Sequence, residues 1–375
     1  MTPTDFARFA RGESIAVEVG AIERELDGLW KQAAQAGAAV VSRAALWNVV
    51  MPVRGRAALE GAKQLVDEMA SGLPTRAITL CLDEDPKGKG DVQATIESNV
   101  VSHPGGARLV YSEEITLSGP ARAEGHFGAL VRALQIPGVP TALFWMDPAL
   151  PLSLLKELLP VTGRLVTDTT ICGRPDQLFG LQQLIARAQP LPVADIGWLR
   201  LGGVRSMFAG LFDPPIGGAP LAAATRVVVR HRAGCDASAL LLVAWLGVRL
   251  DWRPLRSAQT SDGGLRLDFQ RGDAPGAAIA VHMVPSGGAC GKSGFLGIEL
   301  YAGNDRYAVS RIALDQTAVE VPIAPSRMMK LDAHDDAELC VDALGPRGRD
   351  PLFARVLALA GRLWAFEPAG AGSRR

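Results

Sequence analysis

Nothing in the 375-residue chain accumulates charge of one sign: 39 Lys and Arg offset 39 Asp and Glu, and no three basic residues run together. A protein that grips nucleic acid by its phosphates carries a basic excess or stripe, so nucleic acid is not an expected partner. Cysteine is scarce. Cys81, Cys172, Cys235, Cys290 and Cys340 are scattered and form no Cys-x-x-Cys pair. Such a set excludes a disulfide framework and the usual structural zinc site, and predicts free thiols in a reducing compartment. Long apolar runs are missing too. The most apolar stretch, Ala237 to Val248, is followed by Arg249 and Asp251, and it falls short of the ~20 residues that span a bilayer. The N-terminus lacks the apolar core of a secretory signal. A cytoplasmic protein with no membrane partner is expected.

Several catalytic signatures are also absent. The five histidines form no His-Glu-x-x-His, no Gly-x-Ser-x-Gly elbow occurs, and no Gly-x-Gly-x-x-Gly follows a strand. Zincin, common hydrolase and dinucleotide-binding readings lose their usual support. Ser286-Gly-Gly-Ala-Cys-Gly-Lys-Ser293 comes nearest to a phosphate loop, but its leading position is Ser286 and an alternating, strand-like segment follows. A glycine-rich hairpin loop fits it better. His103-Pro-Gly-Gly106 is a turn bearing a polar ring. Asp332, His334, Asp335, Asp336 and Glu338 concentrate acceptors, but Ala337 stands where a calcium loop needs glycine, so a solvated acidic loop is expected.

What is present is periodicity. Hydrophobic residues, 48% of the chain, supply ample surface to bury. Helices are predicted from Ile22 to about Gly37, Arg56 to Met69, Glu124 to Leu134, Leu152 to Leu159, Gln177 to Ala188, Val204 to Phe212, Ser238 to Leu250 and from Asp350-Pro351 to Trp364. Between them lie strands at Ala45–Val53, Arg76–Leu82, Val92–Val101, Ala107–Leu117, Thr141–Trp145 and Arg164–Asp168. Pro52 should put the first of these at a sheet edge or terminate it. Beyond Asp213–Pro220, with three prolines and two glycines, strands at about 225–230, 265–269, 278–284, 294–301, 307–313 and 318–323 suggest an antiparallel sheet. The expected architecture is α/β: an N-terminal mixed sheet with helices on both faces at 1–213, then a smaller α+β domain with a mainly antiparallel sheet at 221–368.

Two groups of side chains stand out. Glu113 and Glu114 are adjacent in a strand, so they point to opposite faces; one is expected to be solvated and the other paired. In Asp195-Ile-Gly-Trp-Leu-Arg200, an extended backbone would put Trp198 and Arg200 on one face, where the cation could stack on the indole; the alternative is a packed Trp198 beneath an exposed Arg200. No assembled catalytic set can be read from the residues.

Several segments together resemble the OpcA family, the assembly proteins of glucose-6-phosphate dehydrogenase. They are Leu46-Trp-Asn-Val-Val50, Tyr111-Ser-Glu-Glu-Ile-Thr-Leu117, the stretch Leu130 to Trp145, Ala194-Asp-Ile-Gly-Trp-Leu-Arg-Leu201 and Ala239 to Trp252. Phe144 replaces a tryptophan of the family pattern, Ala244 replaces a glycine, and Arg200-Leu-Gly-Gly departs from the expected ending. The resemblance implies a non-catalytic partner that binds glucose-6-phosphate dehydrogenase and favours its active oligomer in the oxidative pentose phosphate pathway. It implies no cofactor and no metal, any NADP belonging to the dehydrogenase. Asp195, Trp198, Arg200, Glu113 and Glu114 are the candidate partner-binding residues. The rival reading is a sugar-phosphate or nucleotide enzyme working at the C-terminal ends of the parallel strands.

Overall fold

Strand β4 (Thr75–Leu82), Thr-Arg-Ala-Ile-Thr-Leu-Cys-Leu, is buried at every position. A near-continuous apolar run suits a strand inside a parallel sheet covered on both faces. The computed structural model describes residues 9, 12–35, 41–43, 45–70, 72–83, 91–102, 109–120, 124–147, 149–172, 191–272, 276–288, 292–331, 334–345 and 350–365. Two compact units divide the chain: the first comprises 1–167, 191–194 and 335–348, the second 168–190, 195–334 and 349–375. The proline-rich segment at 213–220 therefore lies inside the second unit. The expected helix at 177–188, the turn at 103–106, Cys290 and Asp332 fall outside the described residues.

The first sheet adds β1 (Ile15–Val17), β2 (Val41–Arg43), β3 (Trp47–Arg54), β5 (Gln93–Ser102), β6 (Leu109–Gly119), β7 (Thr141–Trp145), β8 (Arg164–Thr167) and β9 (Val193–Asp195). Its order is β1-β5-β6-β4-β3-β7-β8-β9, with β2 also pairing β6. Pairs β6/β4, β4/β3, β3/β7 and β7/β8 are parallel, while β5 runs antiparallel to β6 and β1 to β5. Helices Ile22–Gln35 and Gly55–Ala70 cover opposite faces, since Trp30 of one reaches Glu113 and Lys63 of the other pairs with Glu97, which stands opposite Glu114. The sheet is mixed with helices on both faces, as the sequence suggests.

Strand β3 corrects the expectation for Pro52: it is central, flanked by β4 and β7. Asn48 turns its backbone N–H towards the β7 side, bonding Pro140 O at 2.9 Å. Alternate residues of a strand face the same way, so Pro52 lacks its donor on that side. Pairing there ends at Val50, and the missing hydrogen bond is one the strand does not need.

The second unit is built on β10 (Ala224–Arg232), β11 (Trp252–Gln259), β12 (Leu265–Arg271), β13 (Ala278–Ser286), β14 (Phe295–Ala302), β15 (Asp305–Arg311), β16 (Gln316–Val321) and β17 (Ala324–Lys330). The order is β11-β12-β13-β10-β14-β15-β16-β17, antiparallel except for β10 with β13. Strands β11 and β17 escape the sequence reading because Arg253 to Gln259 and Ser326 to Lys330 do not alternate apolar with polar. Strands β13 and β14, which flank the glycine-rich segment, are not hairpin partners: β10 lies between them.

Helix Asp236–Arg249 is Ala- and Leu-rich, with Asp236 in its first turn and Arg249 in its last, each suited to the dipole at that end. Ala237 to Gly247 are all buried. The helix packs on β10, β11 and β13 and against helix Pro351–Ala365. A Cβ at Gly247 would come within 2.8 Å of Leu359 Cδ2, so glycine lets the two helices approach. Asp350 caps the second helix, accepting from Leu352 N at 2.9 Å. The expected acidic loop is instead a helix start. Asp335 and Glu338 form a reciprocal capping box at the head of Asp336–Leu344.

Candidate functional site

Glu113 and Glu114 are both buried, at 3% and 1% exposure, so neither is the solvated member the sequence suggests. Glu113 meets Arg76, whose Nε and Nη2 lie 2.7 and 2.6 Å from its Oε2. The same guanidinium donates to Leu134 O at 2.8 Å and pairs with Glu23 at 2.5 Å. Trp30 Nε1 donates to the other oxygen of Glu113. A buried arginine needs such a set of acceptors to offset its desolvation. Arg76 is the residue that the sequence signals only as a lone cation at the head of an apolar strand.

On the opposite face, Glu114 Oε1 has no hydrogen-bond partner, and neither have Thr79 Oγ1 and Thr116 Oγ1, which stand opposite one another. Burial first, and then the Glu97 carboxylate, push the Glu114 carboxyl up to about 8, against the pull of Lys63. At neutral pH this side chain is an uncharged acid.

In the second unit, Asp195 organises a turn. Its Oδ1 accepts from Trp198 N at 2.7 Å and Thr169 Oγ1 at 3.0 Å, and its Oδ2 accepts from Thr169 N at 3.0 Å. It is the N-cap of helix Ile196–Arg200. A Cβ at Gly197 would collide with Thr169 Oγ1, so only glycine fits beneath this bond. Because the segment is helical, Trp198 and Arg200 do not share a face. Arg200 turns to Asp168 at 3.3 Å and donates to Thr170 Oγ1 at 2.6 Å.

The indole of Trp198 is buried, at 3% exposure. The cation stacked on it is Arg205, from helix Gly202–Gly210, with its guanidinium carbon 3.1 Å from the ring centroid. The Phe353 ring lies 5.6 Å away, and Trp198 Nε1 donates to Asp350 Oδ2 at 3.3 Å. Burial pulls Arg205 down to about 10, against the nearby Asp350. The tryptophan is packed, as one of the two sequence readings has it, but Arg200 is neither stacked on it nor exposed: a partner at i+2 follows from an extended backbone, whereas the structure uses i+7 across a turn between two helices. Asp168, Asp350 and Arg205 carry no local signal that would have grouped them. Among the described residues, no three His, Cys, Asp or Glu side chains gather as a metal site.

Comparison with known proteins accounts for these sequence patterns. Residues 66–184 match the family model described as glucose-6-phosphate dehydrogenase subunit N-terminal domain, and residues 191–357 match the corresponding C-terminal domain. The chain belongs to the OpcA family. An OpcA relative from Nostoc punctiforme is 32% identical over 199 residues, covering 52% of this chain and 42% of the relative. One from Synechocystis is 30% identical over 201 residues, covering 52% and 41%. This OpcA-family chain thus aligns with about two fifths of the length of these curated relatives. Among solved structures, an oxidoreductase from Sinorhizobium meliloti aligns with a TM-score of 0.46 and 11% identity, over 87% of this chain and 91% of its own.

The aspartate and tryptophan of the OpcA-like segment Ala194 to Leu201 thus have local structural duties, as cap and as stacked core. No helix of the described residues is long and apolar enough to cross a membrane.

Proposed function

We propose that this chain is a non-catalytic accessory protein that binds glucose-6-phosphate dehydrogenase and favours its active oligomer. The observation that carries the reading is the pair of dehydrogenase-subunit family models, which together account for residues 66–184 and 191–357. The physical mechanism is linkage. A protein that binds the active oligomer more tightly than the inactive forms shifts the population by that difference in affinity, and equal affinity would shift nothing. The pathway served is the oxidative pentose phosphate route, in the cytoplasm, and NADP belongs to the dehydrogenase. Asp195, Trp198 and Arg200 support this role by bracing the segment that carries them, and Glu113 by holding Arg76 and Trp30 to the first sheet.

The test mixes the purified chain with the dehydrogenase of the same organism. Light scattering is expected to show a larger oligomer, and the initial rate of NADP reduction is expected to rise with it. A mixture whose mass and rate equal those of the separate proteins would refute the reading.

A further inference from the structure

In the second unit, helices Gly202–Gly210 and Asp236–Arg249 pack on one face of the eight-stranded sheet. Their contacts go through the inward side chains: Phe208 meets Trp245 at 6.3 Å between ring centroids, and Met207 meets Thr317. The strand registers place a different set of side chains on the other face. One row across the strands reads Arg256, Asp268, Ala280, Arg226, Tyr301 and Arg306. The next row holds Arg266, His282, Val228 and Glu299, and continues through Ala308 to Glu320. A third sets Arg230 beside Gly297, Ser310 and Ala318, and ends at the exposed Met328.

These side chains hold one another in place. Arg256 and Arg266 both pair with Asp268, the second at 2.9 Å. Glu299 accepts from Arg230 at 3.2 Å, Arg306 at 3.4 Å and the Tyr301 hydroxyl at 2.5 Å, and Arg306 also pairs with Glu320. The guanidinium of Arg226 lies 3.8 Å from the centroid of the Tyr301 ring. Burial, and then Arg266 and Arg226, hold His282 below its usual range, so it adds no charge at neutral pH.

Three rows therefore set five arginines against three carboxylates, on a chain whose net charge is zero. Between the arginines the floor is low, formed by Ala280, Ala308, Gly297, Ser310 and Ala318. Arginine, tyrosine and methionine are the residues enriched at protein interfaces, and arginines already held by neighbours lose less entropy on docking.

We propose that this open sheet face is where the dehydrogenase docks, presenting an acidic patch of its own surface to the arginine rows. The inference rests on the functional reading above and adds the surface and its chemistry. A second copy of this chain is a poorer occupant, because a two-fold interface sets each patch against itself and like excess charge would meet. Nucleic acid is poorer too, because five arginines against three paired carboxylates leave a small local excess rather than the long basic stripe that tracks a phosphate backbone.

The test uses calorimetric titration of the dehydrogenase with the full chain at two salt concentrations. Arg253, opposite Gln270 at the β11 side of the face, is exposed, and no carboxylate pair is broken by changing it or Arg226. The double variant Arg226→Glu/Arg253→Glu is expected to weaken binding by about ten-fold or more and to flatten the salt dependence, with melting temperature kept. Ser310→Arg blocks the low floor while adding positive charge, and it is expected to lose binding as well. Parent-like binding by both variants would overturn the docking surface while leaving the functional reading intact. Failure of the unaltered chain to bind would instead bring down that reading and the inference with it. Duplex DNA binding, or a dimer in sedimentation, that disappears in the double variant while dehydrogenase binding persists would assign the face to another occupant and overturn the proposal.

Discussion

Glu113 and Glu114 are neighbours in sequence that meet different chemistry, because a strand turns successive side chains to opposite faces. One faces Arg76 and Trp30 and is held as part of an ion pair. The other faces helix Gly55–Ala70 and is held neutral, its carboxyl pushed from 4.5 to about 8 by burial and Glu97. The folded state therefore keeps a proton that the unfolded chain releases near 4.5. Its stabilising effect is complete below that value and is lost as pH rises towards about 8. Thermal melts across this range are expected to show the parent losing more stability with rising pH than Glu114→Gln, which has no proton to lose. Equal pH dependence in both would show that Glu114 does not carry the effect. Asp195 acts through geometry instead. Asp195→Ala removes the cap and both Thr169 bonds, and should cost roughly 2–4 kcal/mol in urea unfolding. Asp195→Asn keeps an acceptor at Oδ1 and should recover part of that loss.

At the scale of the element, burial on several sides decides what each segment can tolerate. Helix Asp236–Arg249 lies between its sheet and helix Pro351–Ala365 with no polar stripe over Ala237 to Gly247. Trp245→Ala there is expected to cost about 3–5 kcal/mol and to lower soluble yield, measured by denaturant unfolding. A variant as stable as the parent would show that the cavity closes. Strand β3 shows the converse, since a proline sits inside a central strand without breaking it. The ladder asks each residue for hydrogen bonds on one side only, and Pro52 faces the side where pairing has ended. The connection between β13 and β14 shows how little local spacing says about partners. Its glycines suit a tight turn, but the strand that fills the gap, β10, lies earlier in the chain.

At the scale of the whole molecule, the two units interleave along the chain, each taking pieces from before and after the other. The first carries the mixed sheet with its helices; the second carries the open arginine face on which the docking inference rests. The accessory reading predicts that calorimetric titration of the isolated chain with NADP gives no heat in the low micromolar range. Binding there would return the protein to the enzyme reading, with the nucleotide at the parallel strands.

Periodicity alone determined most elements of this protein, because the apolar spacing of helix Ile22–Gln35 or strand β4 is set by which side must leave water. It also determined that Glu113 and Glu114 face apart, since that follows from the strand period. The order of strands, the central place of β3 and the insertion of β10 between β13 and β14 were decided only by tertiary pairing, which joins residues far apart in sequence. The same holds for the site: Trp198 was legible as a large aromatic, but its cation, Arg205, its acceptor, Asp350, and the capping role of Asp195 beside it come only with the fold. The arginine rows are less legible still. Arg226, Arg256 and Arg306 lie on three strands, and only the registers bring them into one line. A side chain's neighbours along the chain are fixed by covalent geometry, but its neighbours across a sheet exist only once the core has folded.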